Sequence, residues 1–246
     1  MENGKINIIF AQSLKNSRPI KKRKEKEMQK LNVLFEDNHV IVVEKMVNVP
    51  SQADKTGDID MLSIIKDYLK EKYNKPGNVY LGLVHRLDRP ASGVMVFART
   101  SKAASRLSDE VRNRSIKKTY LAIVHGKTKE QEKLVDYISK DNKTNNSYID
   151  KKGGKESILT YTRLKYDEKE DLSLIKVELE TGRHHQIRLQ MSNIGHPLYG
   201  DQRYGEQDKK QLALYAYKLE FTHPVTKEQM TFKKLPNWTI LEGVDL

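Results

Sequence analysis

The chain has no cysteine. Disulfides, thiolate zinc sites, iron–sulfur clusters and a cysteine nucleophile are therefore excluded. A glycine-rich phosphate loop of either common spacing is also missing. ATP and NAD chemistry then has no basis in the sequence, and no cofactor is expected. No apolar run approaches the roughly 18 residues of a membrane span. The apolar patch at residues 6–11 is short, interrupted by polar residues and unlike a signal peptide. The expectation is a cytoplasmic protein with no membrane partner.

What is abundant is positive charge. Lys and Arg number 45 against 33 Asp and Glu among 246 residues, a net charge of +12. Charged residues reach 32%, above the roughly 25% of an ordinary globular domain. That balance favours a polyanionic partner. The excess is concentrated between positions 15 and 30, where eight basic residues stand against two acidic ones with almost no apolar content. Such a stretch cannot offset its ordering entropy by burial. Residues 1–30 thus read as a flexible basic arm that attracts phosphates by counterion release. They equally fit a solvated helix end, or an extension upstream of an initiator at Met28.

Residues 31–246 read as one domain without internal repeats, long enough to bury roughly 70% of the unfolded surface. Apolar runs at 32–35 and 40–43 flank a turn and read as strands. Asp60 is placed to cap a helix carrying Leu62, Ile65 and Leu69 on one face. Residues 79–87 and 94–98 read as strands around the turn-forming Asp88-Arg89-Pro90-Ala91-Ser92-Gly93. Ser101 is expected to cap a second helix, with Ala104, Leu107 and Val111 inward. Further strands are expected at 119–124, 134–138, 158–164 and 172–179. In the last the apolar phase slips near Ile175, which fits a bulge or burial on both faces. Ile187, Met191 and Ile194 mark a short helix closed by Gly195, and 212–221 with 230–232 form a hairpin. Strands dominate, so the fold class is α+β: a mixed, mainly antiparallel sheet with flanking helices.

Two segments concentrate chemistry. In His85-Arg86-Leu87-Asp88-Arg89-Pro90-Ala91-Ser92-Gly93 an acid sits between two arginines at the end of an apolar strand. Guanidinium neighbours are expected to depress the Asp88 pKa and keep it ionised, suited to nucleophilic attack or electrostatic stabilisation. An Asx-type turn with surface ion pairs explains the same residues without chemistry. In Thr181-Gly182-Arg183-His184-His185-Gln186-Ile187-Arg188 a turn feeds a helix. His184 and Arg188 are expected one turn apart, facing a single cleft that suits a phosphate. A metal site at His184, His185 and His196 is rejected, because adjacent histidines diverge on a helix and no carboxylate has zincin spacing. A calcium loop at residues 54–65 is rejected too, since Ile59 and Ile65 stand where glycine and glutamate are needed. Tyr120, after Lys118-Thr119, reads on its own as a packed strand residue.

Together these segments resemble the RluA-type pseudouridine synthases. His85-Arg86-Leu87-Asp88-Arg89 followed by Ser92-Gly93 and an apolar strand is similar to the family signature, and Lys118-Thr119-Tyr120 to its Lys-x-Tyr strand. The run from Gly182 through Arg188, on through Gly195-His196-Pro197-Leu198-Tyr199-Gly200-Asp201 to Tyr204-Gly205, supplies a third motif. The resemblance covers roughly residues 31–240.

The resemblance implies a cofactor-independent isomerase of uridine in RNA, on a sheet whose halves flank a central RNA-binding cleft. Asp88 would be the catalytic aspartate. Attack at C1′, addition to the base and abstraction of a ribose proton all fit it as first steps. Arg188 would pair with Asp88, Tyr120 would stack on the target base and assist proton movement at C5, and Ile187 would wall the uracil pocket. Arg86 would fill the stack that the uridine leaves, because the base must be extruded to react. Arg89, Arg183 and His184 would contact RNA. Some members carry an S4 RNA-binding domain, but about thirty residues before the match are too few to fold as one. RNA selection is then expected to rest on the catalytic domain, helped by the arm. The expected substrate is ribosomal RNA, large-subunit RNA first, with transfer RNA second. A monomer is expected. The rival reading is an RNA-binding or ribosome-assembly protein on the same fold.

Overall fold

The computed structural model describes residues 31–205 and 209–246. The basic arm lies outside the described residues.

Apolar runs that no single sheet face can absorb set the centre of the fold. In β2 (Val40–Lys45) the run Val40 to Val43 is buried throughout, as is Val94 to Ala98 in β4 (Ser92–Ala98). Both faces of these strands must therefore be covered. Helix α1 (Met61–Lys72) covers one face with Met61, Ile64, Ile65 and Leu69 against Ile41, Val43, Met95 and Phe97. Helix α2 (Ser101–Arg112) covers the other with Ala103 and Leu107 against Val40, Val42, Val94 and Val96. As the sequence predicts, Asp60 caps α1, accepting from the Ser63 N–H at 3.1 Å. The cap of α2 is Thr100, one residue earlier than expected: its hydroxyl accepts from the Ala103 N–H at 3.1 Å, and Ser101 is already helical.

The remaining strands are β1 (Asn32–Glu36), β3 (Gly82–Leu83), β5 (Lys117–His125), β6 (Gln131–Asp141), β7 (Asn146–Ile149), β8 (Lys155–Asp167), β9 (Leu172–Leu179), β10 (Leu214–Thr222) and β11 (Gln229–Lys233). The sheet order is β1-β2-β4-β10-β5-β9-β8-β6-β7, with β11 beside β10 and β3 beside β4. Among the described residues the pairing of β10 with β4 is the parallel one; the rest are antiparallel. The α+β fold with a mixed, mainly antiparallel sheet is thus as the sequence predicts. Helix α3 (Gln186–Asn193) adds Ile187 and Met191 to the core shared with Tyr120, Ala122, Ile175 and Val177. No helix among the described residues is long and apolar enough to cross a membrane.

One strand expectation needs correction. The strand expected at 79–87 shrinks to Gly82 and Leu83. Val79, Leu81 and Leu87 are buried around exposed Tyr80 and mimic a strand pattern, but β10 and β3 hold only the two ends of that β4 edge. Between them the His85 ring, not a backbone carbonyl, accepts the Val96 N–H at 3.1 Å. Strand β7 is not legible in the sequence, being short and polar. The phase slip in β9 reflects burial of Leu174 and Ile175 on both faces, and the register irregularity sits opposite, between Arg163 and Lys165 of β8.

Where β4 meets β10 the backbones approach so closely that only glycine fits. Gly93 has φ +118°, and a Cβ there would lie 2.4 Å from the Ala216 carbonyl oxygen. Gly93→Ala is expected to cost about 2 kcal/mol or more, a lower urea midpoint being the measurement.

Candidate active site

The central strands β4, β10 and β5 carry the site. Asp88 follows buried Leu87, in a turn closed by the Ala91 N–H donating to the Asp88 carbonyl at 3.1 Å. The Ser51 hydroxyl donates to the Leu87 carbonyl at 2.9 Å and accepts the Leu87 N–H at 3.2 Å. On the other flank Lys45, fully buried, donates to the carbonyls of Met46 (3.0 Å), Arg89 (3.0 Å) and Ala91 (2.6 Å). The backbone on both sides of Asp88 is thereby fixed. The Asp88 side chain itself is 23% exposed.

Arg188 sits in the first turn of α3 and holds two carboxylates. Its Nε and Nη2 donate to Asp201 at 2.7 and 2.6 Å, and its Nη1 donates to Asp88 at 3.3 Å. The Asp201 carboxylate also accepts the N–H groups of Arg203 and Tyr204 at 2.9 and 3.1 Å. The expected Asp88–Arg188 pair therefore exists, but the tight bidentate partner of Arg188 is Asp201. That aspartate belongs to the third motif, which on sequence alone assigns it no role. Its signal is a lone acid thirteen residues beyond a buried arginine.

The electrostatics correct one expectation. Burial raises the Asp88 pKa, and Arg188 and Lys45 offset that only in part. Losing hydration outweighs the nearby cations. The second arginine of the motif does not help, because Arg89 turns to Asp58, to Asp54 at 3.9 Å and to the Thr56 hydroxyl at 3.1 Å. For Asp201 burial also pushes upward, but Arg188 and the two backbone donors outweigh it and hold the carboxyl low. Burial drags the Lys45 ammonium down to about 7, against the pull of Asp88. Burial, and secondarily Asp88, push the Tyr120 phenol up, so it stays protonated and offers a neutral face for stacking.

These directions give a pH signature. Asp88 regains its charge only as pH rises through a raised pKa, so the acid limb of the kcat/KM profile should lie above the ordinary aspartate range. Lys45→Met removes a cation that lowers the Asp88 pKa and should move that limb higher still, whereas an unmoved limb would separate Lys45 from Asp88.

The other expected site residues are spread around this centre. Ile187 is buried in the same core cluster as Tyr120. Arg86 is exposed and near enough to His184 to oppose its protonation. The Arg183 Nε donates to the Glu156 carbonyl at 3.1 Å. His184 and His185 precede α3 rather than lie on it, and His185 adopts a left-handed φ of 53°. Their rings stack at 3.7 Å instead of diverging. No group of three or more His, Cys, Asp or Glu side chains among the described residues is placed to hold a metal.

A carboxylate presented beside a buried arginine and a neutral tyrosine, on a basic protein, is a site for acid–base or nucleophilic work on a substrate bound to a polyanion. Comparison with known proteins gives the class. Residues 39–193 match the family model described as RNA pseudouridylate synthase. The Bacillus subtilis (strain 168) RNA pseudouridine synthase YhcT is 33% identical over 205 residues, which cover 82% of this chain and 67% of YhcT. The ribosomal large subunit pseudouridine synthase D of Zymomonas mobilis is 33% identical over 220 residues, covering 82% and 68%. The solved human RNA Pseudouridylate Synthase Domain Containing 4 shares the fold, with a TM-score of 0.72 at 20% identity over 87% of this chain and 93% of that one.

The chain belongs to the RNA pseudouridylate synthase family. Its activity is that of an isomerase acting on uridine in RNA.

Proposed function

We propose that the enzyme isomerises uridines of ribosomal RNA, large-subunit RNA first, with Asp88 as the catalytic aspartate. The observation that carries the catalytic reading is the Asp88 carboxylate, backbone-fixed on both flanks and 3.3 Å from Arg188. The ribosomal reading is supported by relatives named as large-subunit enzymes. In the reaction the N1–C1′ bond breaks, the base turns, and a C5–C1′ bond forms. C5 loses its proton and N1 gains one, so atoms balance without a co-reactant. Arg188 orients Asp88 and balances its charge. Tyr120 holds the uracil face and Ile187 packs at the pocket wall. Arg86, exposed beside the site, takes the place of the extruded base, since a guanidinium plane stacks well on bases. Arg89, Arg183 and His184 meet the RNA backbone nearby. The working unit is a cytoplasmic monomer in which residues 31–246 form the catalytic domain.

Pseudouridine mapping in cells with and without the gene tests the substrate. Loss of ribosomal sites supports the reading. Loss of transfer RNA sites alone would move the enzyme to its second substrate, and an unchanged profile in both RNAs would contradict the proposal. Residues 1–30 are proposed as an RNA-attracting arm. Deleting residues 1–27 should weaken RNA binding and reduce the salt slope by about 0.7–0.9 for each phosphate that the arm neutralises. Identical slopes for both proteins would show that the arm does not touch RNA.

A further inference from the structure

Ser147 of β7, buried and far from the motifs in sequence, reaches the two site histidines by two routes. Its backbone N–H donates to the Tyr204 hydroxyl oxygen at 2.7 Å. The Tyr204 hydroxyl in turn lies 2.9 Å from His185 Nδ1. With the phenolic oxygen accepting from Ser147, we assign its proton to His185, the direction that also turns an imidazole N–H toward Asp88. Nδ1 is then the acceptor, and the imidazole proton sits on Nε2. That nitrogen faces the Asp88 carboxylate at 3.8 Å.

The Ser147 hydroxyl fixes the other ring. It lies 2.7 Å from the His184 carbonyl, which can only accept, and 3.0 Å from His184 Nδ1. Its proton goes to the carbonyl, so His184 carries its own proton on Nδ1. These contacts assign the two stacked histidines opposite tautomers, His184 through the Ser147 hydroxyl and His185 through Tyr204. Both stay uncharged at neutral pH: burial, with Arg188 next, brings His185 down to about 2, and burial with Lys140 and other cations brings His184 to about 4. Tyr204 is itself held edge-on to His185 at 5.5 Å and beneath the Arg188 guanidinium at 5.3 Å.

We propose that His185 is a positioning residue for Asp88, and that the Ser147–Tyr204 relay from the β6–β7 hairpin locks it as the neutral Nε2–H tautomer. This rests on Asp88 being the catalytic aspartate. Arg188 supplies one donor to Asp88 and His185 a second, uncharged one, from a different direction. The separation is longer than a hydrogen bond, and catalytic contacts of that kind tighten when substrate binds. The opposite tautomer would turn a lone pair toward the carboxylate and push it off its line.

Histidine-selective 15N spectra of the full protein without RNA read the tautomers directly, with His184→Gln and His185→Gln assigning the signals. His185 protonated on Nε2 and His184 on Nδ1 is the expected result. His185 protonated on Nδ1, or on both nitrogens, at neutral pH would overturn the proposal. Tyr204→Phe should mix the His185 tautomers and lower kcat about tenfold with KM within about twofold, as expected for an aligning contact. An unchanged kcat with a mixed tautomer would also overturn it. His185→Gln retains an N–H in reach of Asp88 and should keep more activity than His185→Leu, although both carry the same left-handed backbone strain. Equal loss in both would reduce His185 to packing. A fully active Asp88→Ala enzyme would remove the catalytic reading instead, while the wild-type spectrum judges the relay without reference to turnover.

Discussion

Asp88→Ala is expected to lower turnover by about 10⁴-fold or more while leaving RNA affinity within a few-fold of wild type. The expectation follows from how the residue is held. Ser51 and Lys45 fix the backbone on either side of it, so truncation leaves the turn in place and removes only the carboxylate proposed to react. Affinity comes from phosphate contacts spread over a protein of net charge +12, and one acid fewer does not weaken them. Filter binding beside single-turnover pseudouridine formation separates the two effects. A parallel loss of binding and turnover would mean that Asp88 supports the fold of the cleft rather than the chemistry.

Asp201→Ala is expected to have the largest effect on stability, about 3–5 kcal/mol, because it strands a buried charge. Arg188 is 4% exposed and Asp201 1% exposed, and two of the three Arg188 hydrogen bonds to carboxylates end on Asp201. The Arg203 and Tyr204 amides lose their acceptor as well. Arg188 itself remains charged at any accessible pH and cannot escape by titrating. A second effect has its own sign. Asp201 raises the Asp88 pKa, so its removal should lower the acid limb of the activity profile even as the protein becomes less stable. Urea unfolding and the pH profile of the soluble variant check both. A stability change under about 1 kcal/mol would mean that Arg188 finds full compensation elsewhere.

The sequence showed the scaffold where local chemistry decides it. Asp60 ahead of an apolar helical face marked its helix start, and the apolar run at 40–43 marked a strand, which the structure buries on both faces. It misled where alternation arose without a ladder: the 79–87 segment packs Val79, Leu81 and Leu87 inward while a histidine ring takes the hydrogen bond a neighbouring strand would have taken. At the site, Asp88, Arg188 and Tyr120 were legible through three motifs of fixed order. Lys45 was not, because lysine is almost never fully buried without partners and its partners are carbonyls, which carry no sequence mark. Ser147 was invisible for a similar reason. It lies on a short polar strand, and its importance comes from a backbone N–H and a hydroxyl brought to α3 by tertiary packing. The pKa of Asp88 departs from the sequence expectation because flanking arginines in sequence are not flanking arginines in space: Arg89 points to Asp58, and burial decides the shift.

Asp88 is proposed to drive isomerisation of uridine in ribosomal RNA. Purified enzyme incubated with ribosomal RNA carrying tritium at C5 of its uridines, prepared from cells lacking the gene, tests it most directly. Tritium release with the base retained in the RNA, abolished in Asp88→Ala, is the expected result. Release of free uracil, or tritium release that survives in Asp88→Ala, would contradict it.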